Sequence, residues 1–342
     1  MDGSPPHKNG PTVSIVVPVY NKRSHLVRAI DSLVATVRQF GSAELILVDN
    51  DSTDGSYELL VERYDKEAAV TQLRGGTISA VRNHGAAIAR GTYLSFVDCD
   101  CVVPPDFISR LVAVFRDHGV SVTGCAVGLP ANPSWIEEVW HRLHRRADDG
   151  FRSYINSGNF AVHRVAFEAV HGFDESLITG EDAEICQRLG DAGFHPYEAQ
   201  SLAVAHLDNP KTLAEFYRKE VWRGLGMLGT VRFTSLDRPT AMTVTHLAAI
   251  VCAFAAAAAV PSWPARVAAL LVLPWIAPIA AVAYRARTTG RVYRPARAVL
   301  LYQVYFLARI TALGRIALGA LRPRRNASTG QEATKHDQAT PA

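Results

Sequence analysis

Several features that would fix a protein's class at once are missing here. Five cysteines in 342 residues is an odd number, so a fully paired intramolecular disulfide set is excluded. No Cys-x-x-Cys and no His/Cys cluster at zinc spacing occurs, and Cys99 and Cys101 stand too close in sequence to bridge comfortably. All five are expected to be reduced thiols in a cytosolic setting. A charge excess of either sign is also lacking. The net charge of +4 gives nucleic-acid binding no support, and none is expected. The opening MDGSPPHKNGPT has no apolar stretch of the signal-peptide kind, so 1–11 is read as a disordered lead-in. No glycine-rich phosphate loop follows the first apolar run, since PVYNKRSH contains no glycine.

What the chain has is apolar residues, 48% of the total, enough for one large domain and something smaller. Thr12 to Tyr20 is a Val/Ile run of the kind buried on both faces of a parallel sheet. Leu26, Ile30, Leu33 and Val37 then share one helical face. Strands are predicted over Glu44 to Val48, Val70 to Leu73 and the segment TYLSFVD, with helices over Ser56 to Asp65 and ISAVRNHGAAIARG, the latter closed by Gly91. This alternation predicts an α/β fold with a mostly parallel sheet flanked by helices. Ligands bind such sheets at the carboxyl ends of the strands. Three polar turns fall there: PVYN, VDND and VDCDC.

Beyond Arg238 the composition changes. Ala241 to Val260 carries no formal charge over about twenty residues, long enough to span a bilayer, and PSWPAR breaks it. Val267 to Tyr284 is similar, and Arg285, Arg287, Arg291, Arg294 and Arg297 follow. The reading is a membrane hairpin, 241–260 and 267–284, rather than a pair of buried core helices. The apolar stretch 298–321 contains Arg309 and Arg315. A central arginine costs about 2.5–3.5 kcal/mol on the insertion scale, so this stretch is read as an interfacial helix. The residues 322–342 are basic, then polar, and are expected to be disordered.

The run YLSFVDCDC ends in two aspartates separated by one residue. An Asp-x-Asp arises by chance roughly once in a chain of this length. Its place at the end of a buried strand is what gives it meaning: two carboxylates there repel, and a hard divalent cation relieves the repulsion and brings phosphates with it. A solvated Asx-turn is the plain alternative. A second acidic pair, Glu181 and Asp182 in TGEDAEIC, precedes a helix with Ile185 and Leu189 on its buried face. Simple helix N-terminal charge would be its plain explanation.

Four blocks, SIVVPVYNKRSHLVRAIDSL, ELILVDNDSTDGS, VRNHGAAIARGTYLSFVDCDC and NSGNFAVHRVAFEAVHGFDESLITGEDAEICQRLGDAGF, resemble in order and spacing the family 2 glycosyltransferases with a GT-A type (Rossmann-like) fold. The resemblance covers residues 12 to about 230, within a GT-A domain read as 12–238 ahead of a membrane region at 239–321. The tail is similar, more loosely, to bacterial polysaccharide and cell-envelope members.

The resemblance implies roles residue by residue. Pro18, Val19, Tyr20 and Asn21 would contact the nucleoside in the turn after the first strand, and Asp49 would accept from the base, which suits uracil or thymine. Arg82 would lie near the diphosphate, and Asp98 near ribose and metal-bound water. Asp100 would ligate Mg²⁺ or Mn²⁺. Asp182 would be the general base that deprotonates the acceptor hydroxyl, with Glu181 orienting it, and a single base implies inversion. Asn159 would line the sugar and acceptor site. His206 is either a third metal ligand or an ordinary edge histidine. Arg218, Trp222 and Arg223 either lie over the diphosphate and acceptor or belong to an amphipathic helix, their spacing departing from the family pattern. The implied function is transfer of a sugar from a UDP- or dTDP-sugar to a lipid-linked or envelope glycan acceptor, at the cytosolic face of the cytoplasmic membrane in contact with membrane lipid. The rivals are a sugar-phosphate nucleotidyltransferase, which the missing glycine loop disfavours, and a non-catalytic scaffold of an envelope glycan complex.

Overall fold

A computed structural model describes residues 10–145, 148–225, 238–290 and 292–320. The read lead-in and tail, and Arg291, fall almost wholly outside these residues. In chain order come β1 (Val13–Val19), α1 (Arg23–Phe40), β2 (Ala43–Asp49), α2 (Ser56–Tyr64), β3 (Ala69–Gln72), α3 (Ile78–Ile88) and β4 (Tyr93–Val97). Next are β5 (Cys101–Val102), α4 (Phe107–His118), β6 (Val122–Gly124), α5 (Trp135–His144), β7 (Gly150–Phe151) and β8 (Asn159–His163). Then follow α6 (Arg164–Ala169), α7 (Glu181–Asp191), β9 (Tyr197–Glu198), β10 (Ala205–His206) and α8 (Leu213–Leu225). The remaining helices are α9 (Arg238–Ala259), α10 (Trp263–Val272), α11 (Ile276–Thr289) and α12 (Pro295–Ala320).

The described residues up to 131, with 148–208, make one compact unit; 132–145 with those from 209 to 320 make a second. The first unit is built on an eight-stranded sheet in the order β3-β2-β1-β4-β8-β6-β9-β7. β1 runs parallel to both β2 and β4, and β2 parallel to β3, while β8 is antiparallel to β4 and β6. All seven residues of β1 are buried, which is why the run is continuous rather than alternating. One face of the sheet packs on α1 through Leu26, Ile30 and Leu33; the other carries Phe96, Phe160, Phe167 and Phe173 in contact with one another. The α/β, mostly parallel architecture expected from the sequence is present.

Two local expectations need correction. The helix containing RNHG ends at Ile88, not at Gly91, because Ala89 is already extended. Gly91 serves a close approach instead: a Cβ there would meet Ser14 N at 2.5 Å, and Gly91 N donates to Ser14 Oγ at 2.7 Å. Pro18 and Val19 belong to β1 itself, paired with Val48 and Asp49, so only Tyr20 and Asn21 form the turn.

In the second unit, three helical stretches are long and apolar enough to cross a membrane: Thr240–Ala259, Trp263–Thr289 and Pro295–Leu318. Many of their large side chains face outward, among them Val251, Phe254, Leu271 and Ile279. Within this unit α12 packs against α8. Arg309 Nη2 donates to Glu220 Oε2 at 2.9 Å, Tyr217 and Thr311 hydroxyls lie 2.7 Å apart, and a Cβ on Gly224 would meet Ala312 Cβ at 2.6 Å. Arg309, one of the two arginines that argued against a third span, is therefore paired with a buried carboxylate.

Candidate active site

The carboxyl ends of β1, β2 and β4 carry the residues singled out in the sequence. Asp49 closes β2 and is fully buried. Its Oδ1 accepts from Ser52 N at 3.0 Å and Gln72 Nε2 at 3.1 Å, while Oδ2 is buried without a hydrogen-bond partner. An unmatched buried carboxylate oxygen is costly and leaves an acceptor available to a donor from outside the chain. The loops around it are tied together. Asn21, at φ 47°, accepts from Thr53 N at 2.8 Å and donates its own N–H to Ser52 Oγ at 3.0 Å. Asn50 donates to Gly76 O at 2.9 Å and accepts from Gly76 N at 3.1 Å.

Asp98 and Asp100 occupy the turn between β4 and β5. Arg82, on α3 and almost wholly buried, holds both acidic pairs at once. Its Nη2 donates to Asp98 Oδ1 at 3.0 Å and its Nη1 to Glu181 Oε1 at 2.7 Å. Ser157 Oγ also donates to Glu181, at 3.1 Å. The turn after Ile155 presses on the same carboxylates: a Cβ on Gly158 would lie 2.7 Å from Asp98 Oδ2. Only glycine fits there without moving the aspartate.

Asp100 is buried and lies between two cationic or potentially cationic groups. Lys22 Nζ donates to its Oδ2 at 3.1 Å, and His206 Nε2 stands 3.2 Å from its Oδ1. Burial alone would push the Asp100 carboxyl up; the His206 imidazole and the Lys22 ammonium outweigh it and hold the group well below the usual carboxylate range. Lys22 also pairs with Asp208. His206 reaches Asp100 because β10 pairs antiparallel with β5, His206 opposite Cys101.

Asp182 sits in the first turn of α7, which Gly180 opens with φ 86°. Glu181 and Asp182 thus lie inside the helix rather than ahead of it. Asp182 Oδ2 accepts from Tyr154 Oη at 2.9 Å and from Asn156 Nδ2 at 3.4 Å; Oδ1 accepts from Ala183 N at 2.9 Å. Burial and the neighbouring Glu181 charge raise its pKa above the ordinary aspartate value, and the Tyr154 hydrogen bond works the other way.

Not every expected residue joins this group. Asn159 is buried on β8 with its amide donated to Leu202 O at 2.6 Å, so its side chain is occupied by the turn at 200–202. Asn156 and Tyr154, earlier in the same turn, are the ones on the carboxylate; the sequence reading missed both. Lys22 and Asp208 were missed as well. Arg218, Trp222 and Arg223 lie on α8 in the second unit, where Arg223 Nη1 donates to Glu220 Oε1 at 2.7 Å.

Asp100, Cys101 and His206 offer ligand atoms within 4.8 Å of one another. Burial pushes the Cys101 thiol well above its ordinary value, and its Sγ donates to Gly158 O, so a carboxylate oxygen and an imidazole nitrogen are the usable donors. That set suits Mn²⁺ or Mg²⁺ better than a thiophilic metal.

Comparison with known proteins gives the family and the fold. The family model described as glycosyl transferase family 2 matches residues 14–170, and that described as glycosyl transferase family group 2 matches residues 93–308. Glycosyltransferase AglE of Haloferax volcanii is 26% identical over 246 residues, covering 70% of this chain and 79% of that protein. Succinoglycan biosynthesis protein ExoA of Rhizobium meliloti is 26% identical over 217 residues, 60% of this chain and 66% of that one. Two further relatives are spanned over 28% and 33% of their lengths. Among solved structures, mannosyltransferase PcManGT from Pyrobaculum calidifontis, in complex with GDP-Man and Mn²⁺, superposes with a TM-score of 0.57 at 17% identity, over 90% of this chain and 88% of that one.

Proposed function

The chain belongs to glycosyl transferase family group 2, and on that premise we propose that its first unit moves a sugar from a nucleotide-diphosphate donor to an acceptor hydroxyl with inversion. The observation that carries this reading is the gathering of Asp49, Asp98 and Asp100 at the carboxyl ends of β2 and β4, with Arg82 joining Asp98 to Glu181, the neighbour of Asp182. In the proposal Asp49 receives the base N–H at its unmatched Oδ2, and Tyr20 and Asn21 bound the nucleoside. Asp100 and His206 hold Mg²⁺ or Mn²⁺, with Asp98 beside it. Such a cation neutralises charge on the leaving diphosphate. PcManGT, similar in fold, was crystallised with GDP-Man and Mn²⁺; here Asp49 favours a pyrimidine, UDP or dTDP.

Asp182 acts as the base. Its raised pKa brings its proton affinity toward neutrality, where base catalysis is efficient. Tyr154 and Asn156 fix its orientation, and Glu181 beside it is bound to Arg82. One base and one displacement give inversion. The acceptor we infer is a lipid-linked or envelope glycan, consistent with similarity to a succinoglycan biosynthesis protein and with apolar helices in the same chain. The domain reading is retained as a proposal: a hairpin of α9 and α10–α11, with α12 lying at the interface, since its partner α8 carries Arg218, Lys219, Glu220 and Arg223. The catalytic unit faces the cytosol.

The test is direct. The purified chain is offered UDP-, dTDP- and GDP-sugars and scored for donor hydrolysis and transfer. Turnover of one donor with inverted product supports the reading, and turnover of none, with nucleotide exchange on sugar phosphates instead, would replace it with a nucleotidyltransferase.

A further inference from the structure

Lys22 was not among the residues the sequence pointed to, yet its ammonium is the cation closest to the carboxylate assigned to the metal. It lies 3.1 Å from Asp100 Oδ2 and also pairs with Asp208 Oδ2. Its place is fixed by the backbone, since Lys22 N donates to Ser56 Oγ at 3.2 Å and the residue precedes the first turn of α1. That turn has no acidic side chain, so its amides add to the local positive potential. Asp208 also has His25 Nε2 4.0 Å from its Oδ1, and Asp100 has His206 on its other oxygen.

A divalent ion on Asp100 would stand next to this ammonium, and two cations on one carboxylate repel each other. A diphosphate placed between them reverses the sign, because each cation then gains an anionic partner. Resting on the metal assignment above, we propose that Lys22 is a specificity-determining residue for donor loading. It opposes metal binding to the protein alone and favours metal that arrives together with a nucleotide diphosphate. Lys22 thereby couples the two ligands positively, and such couplings fall in the range of about 5–150-fold.

The experiment uses the full chain in detergent. Mn²⁺ binding is followed by loss of its free-ion paramagnetic resonance signal, and UDP and GDP binding by calorimetry at saturating Mn²⁺. For Lys22→Gln the two affinities are expected to move in opposite directions: Mn²⁺ alone binds about tenfold tighter, and nucleoside diphosphate with Mn²⁺ about tenfold weaker. Lys22→Arg keeps the charge and should follow the unsubstituted chain in both. A merely structural lysine would weaken both affinities together, and that outcome, or no change in either, overturns the proposal. Asp100→Ala separates the two layers. If it binds Mn²⁺ as well as the unsubstituted chain, the metal assignment itself is lost. If it loses Mn²⁺ while Lys22→Gln leaves Mn²⁺ affinity unchanged, only the role of Lys22 falls.

Discussion

Tyr154 donates its phenolic hydroxyl to Asp182 Oδ2 at 2.9 Å, from a side chain that is itself 42% exposed. The bond favours the ionised carboxylate against burial and the Glu181 charge, both of which raise the pKa. In the role proposed for Asp182 the working form is the ionised one, so transfer should rise with pH through its pKa. Tyr154→Phe removes the opposing bond and should shift the acid limb of the kcat–pH profile to higher pH. An unmoved limb would detach Tyr154 from the base.

Asp182→Asn keeps the shape and removes the proposed base. Transfer is expected to fall at least about a hundredfold, within the range for a lost general base. Nucleotide affinity should change little, because the Asp49 floor and Asp100 are untouched. Equal losses in binding and turnover would move the role to Glu181.

Asp49→Ala should do the reverse. It removes the acceptor at the buried floor and leaves the Ser52 amide and Gln72 without their partner. Donor affinity weakens first, measurable by nucleotide titration, while transfer at saturating donor stays within a few-fold.

Chelation should abolish transfer, and Mg²⁺ or Mn²⁺ should restore it. Full activity in EDTA would remove the cation from the reading of Asp100 and His206.

Arg82 is the buried partner of two carboxylates. Arg82→Met leaves Glu181 and Asp98 without a counter-charge, and removing one partner of a buried ion pair costs about 3–5 kcal/mol. A large drop in thermal midpoint is expected, alongside lost transfer. Denaturation of the full chain measures it.

Topology follows from the hairpin. A reporter placed after Trp263 should read outside and one after Arg294 inside, in line with the positive-inside tendency. A reporter after residue 320 should also read inside if α12 lies at the interface. An outside signal there makes α12 a third span.

Much of the sheet was legible because burial on both faces leaves an unbroken Val/Ile run, as in β1. The acidic turn was legible for the converse reason: Asp98 and Asp100 interrupt such a run abruptly. Lys22 gave no comparable signal, since a lysine at the start of a helix is ordinarily solvated, and its partners Asp100 and Asp208 are 78 and 186 residues away. Tyr154 and Asn156 sit in an irregular turn with no period to read. Asn159 drew attention through its motif, but its side-chain amide is taken by the carbonyl of Leu202, in a turn 43 residues further on. Gly91 showed as a helix stop only because its real constraint, the backbone of Ser14, lies on another strand.

Asn21 and Asn50 have a thermodynamic consequence. Each closes its loop onto a neighbouring one through a pair of side-chain and backbone bonds, so the floor under Asp49 is ordered before any donor arrives. Binding there immobilises few additional residues and carries a small loss of chain entropy. In the proposed donor site, nucleoside affinity would then rest mainly on the contacts made at Asp49. Opening one of the two clasps, as in Asn50→Ala, would make the same contacts entropically dearer without removing any of them.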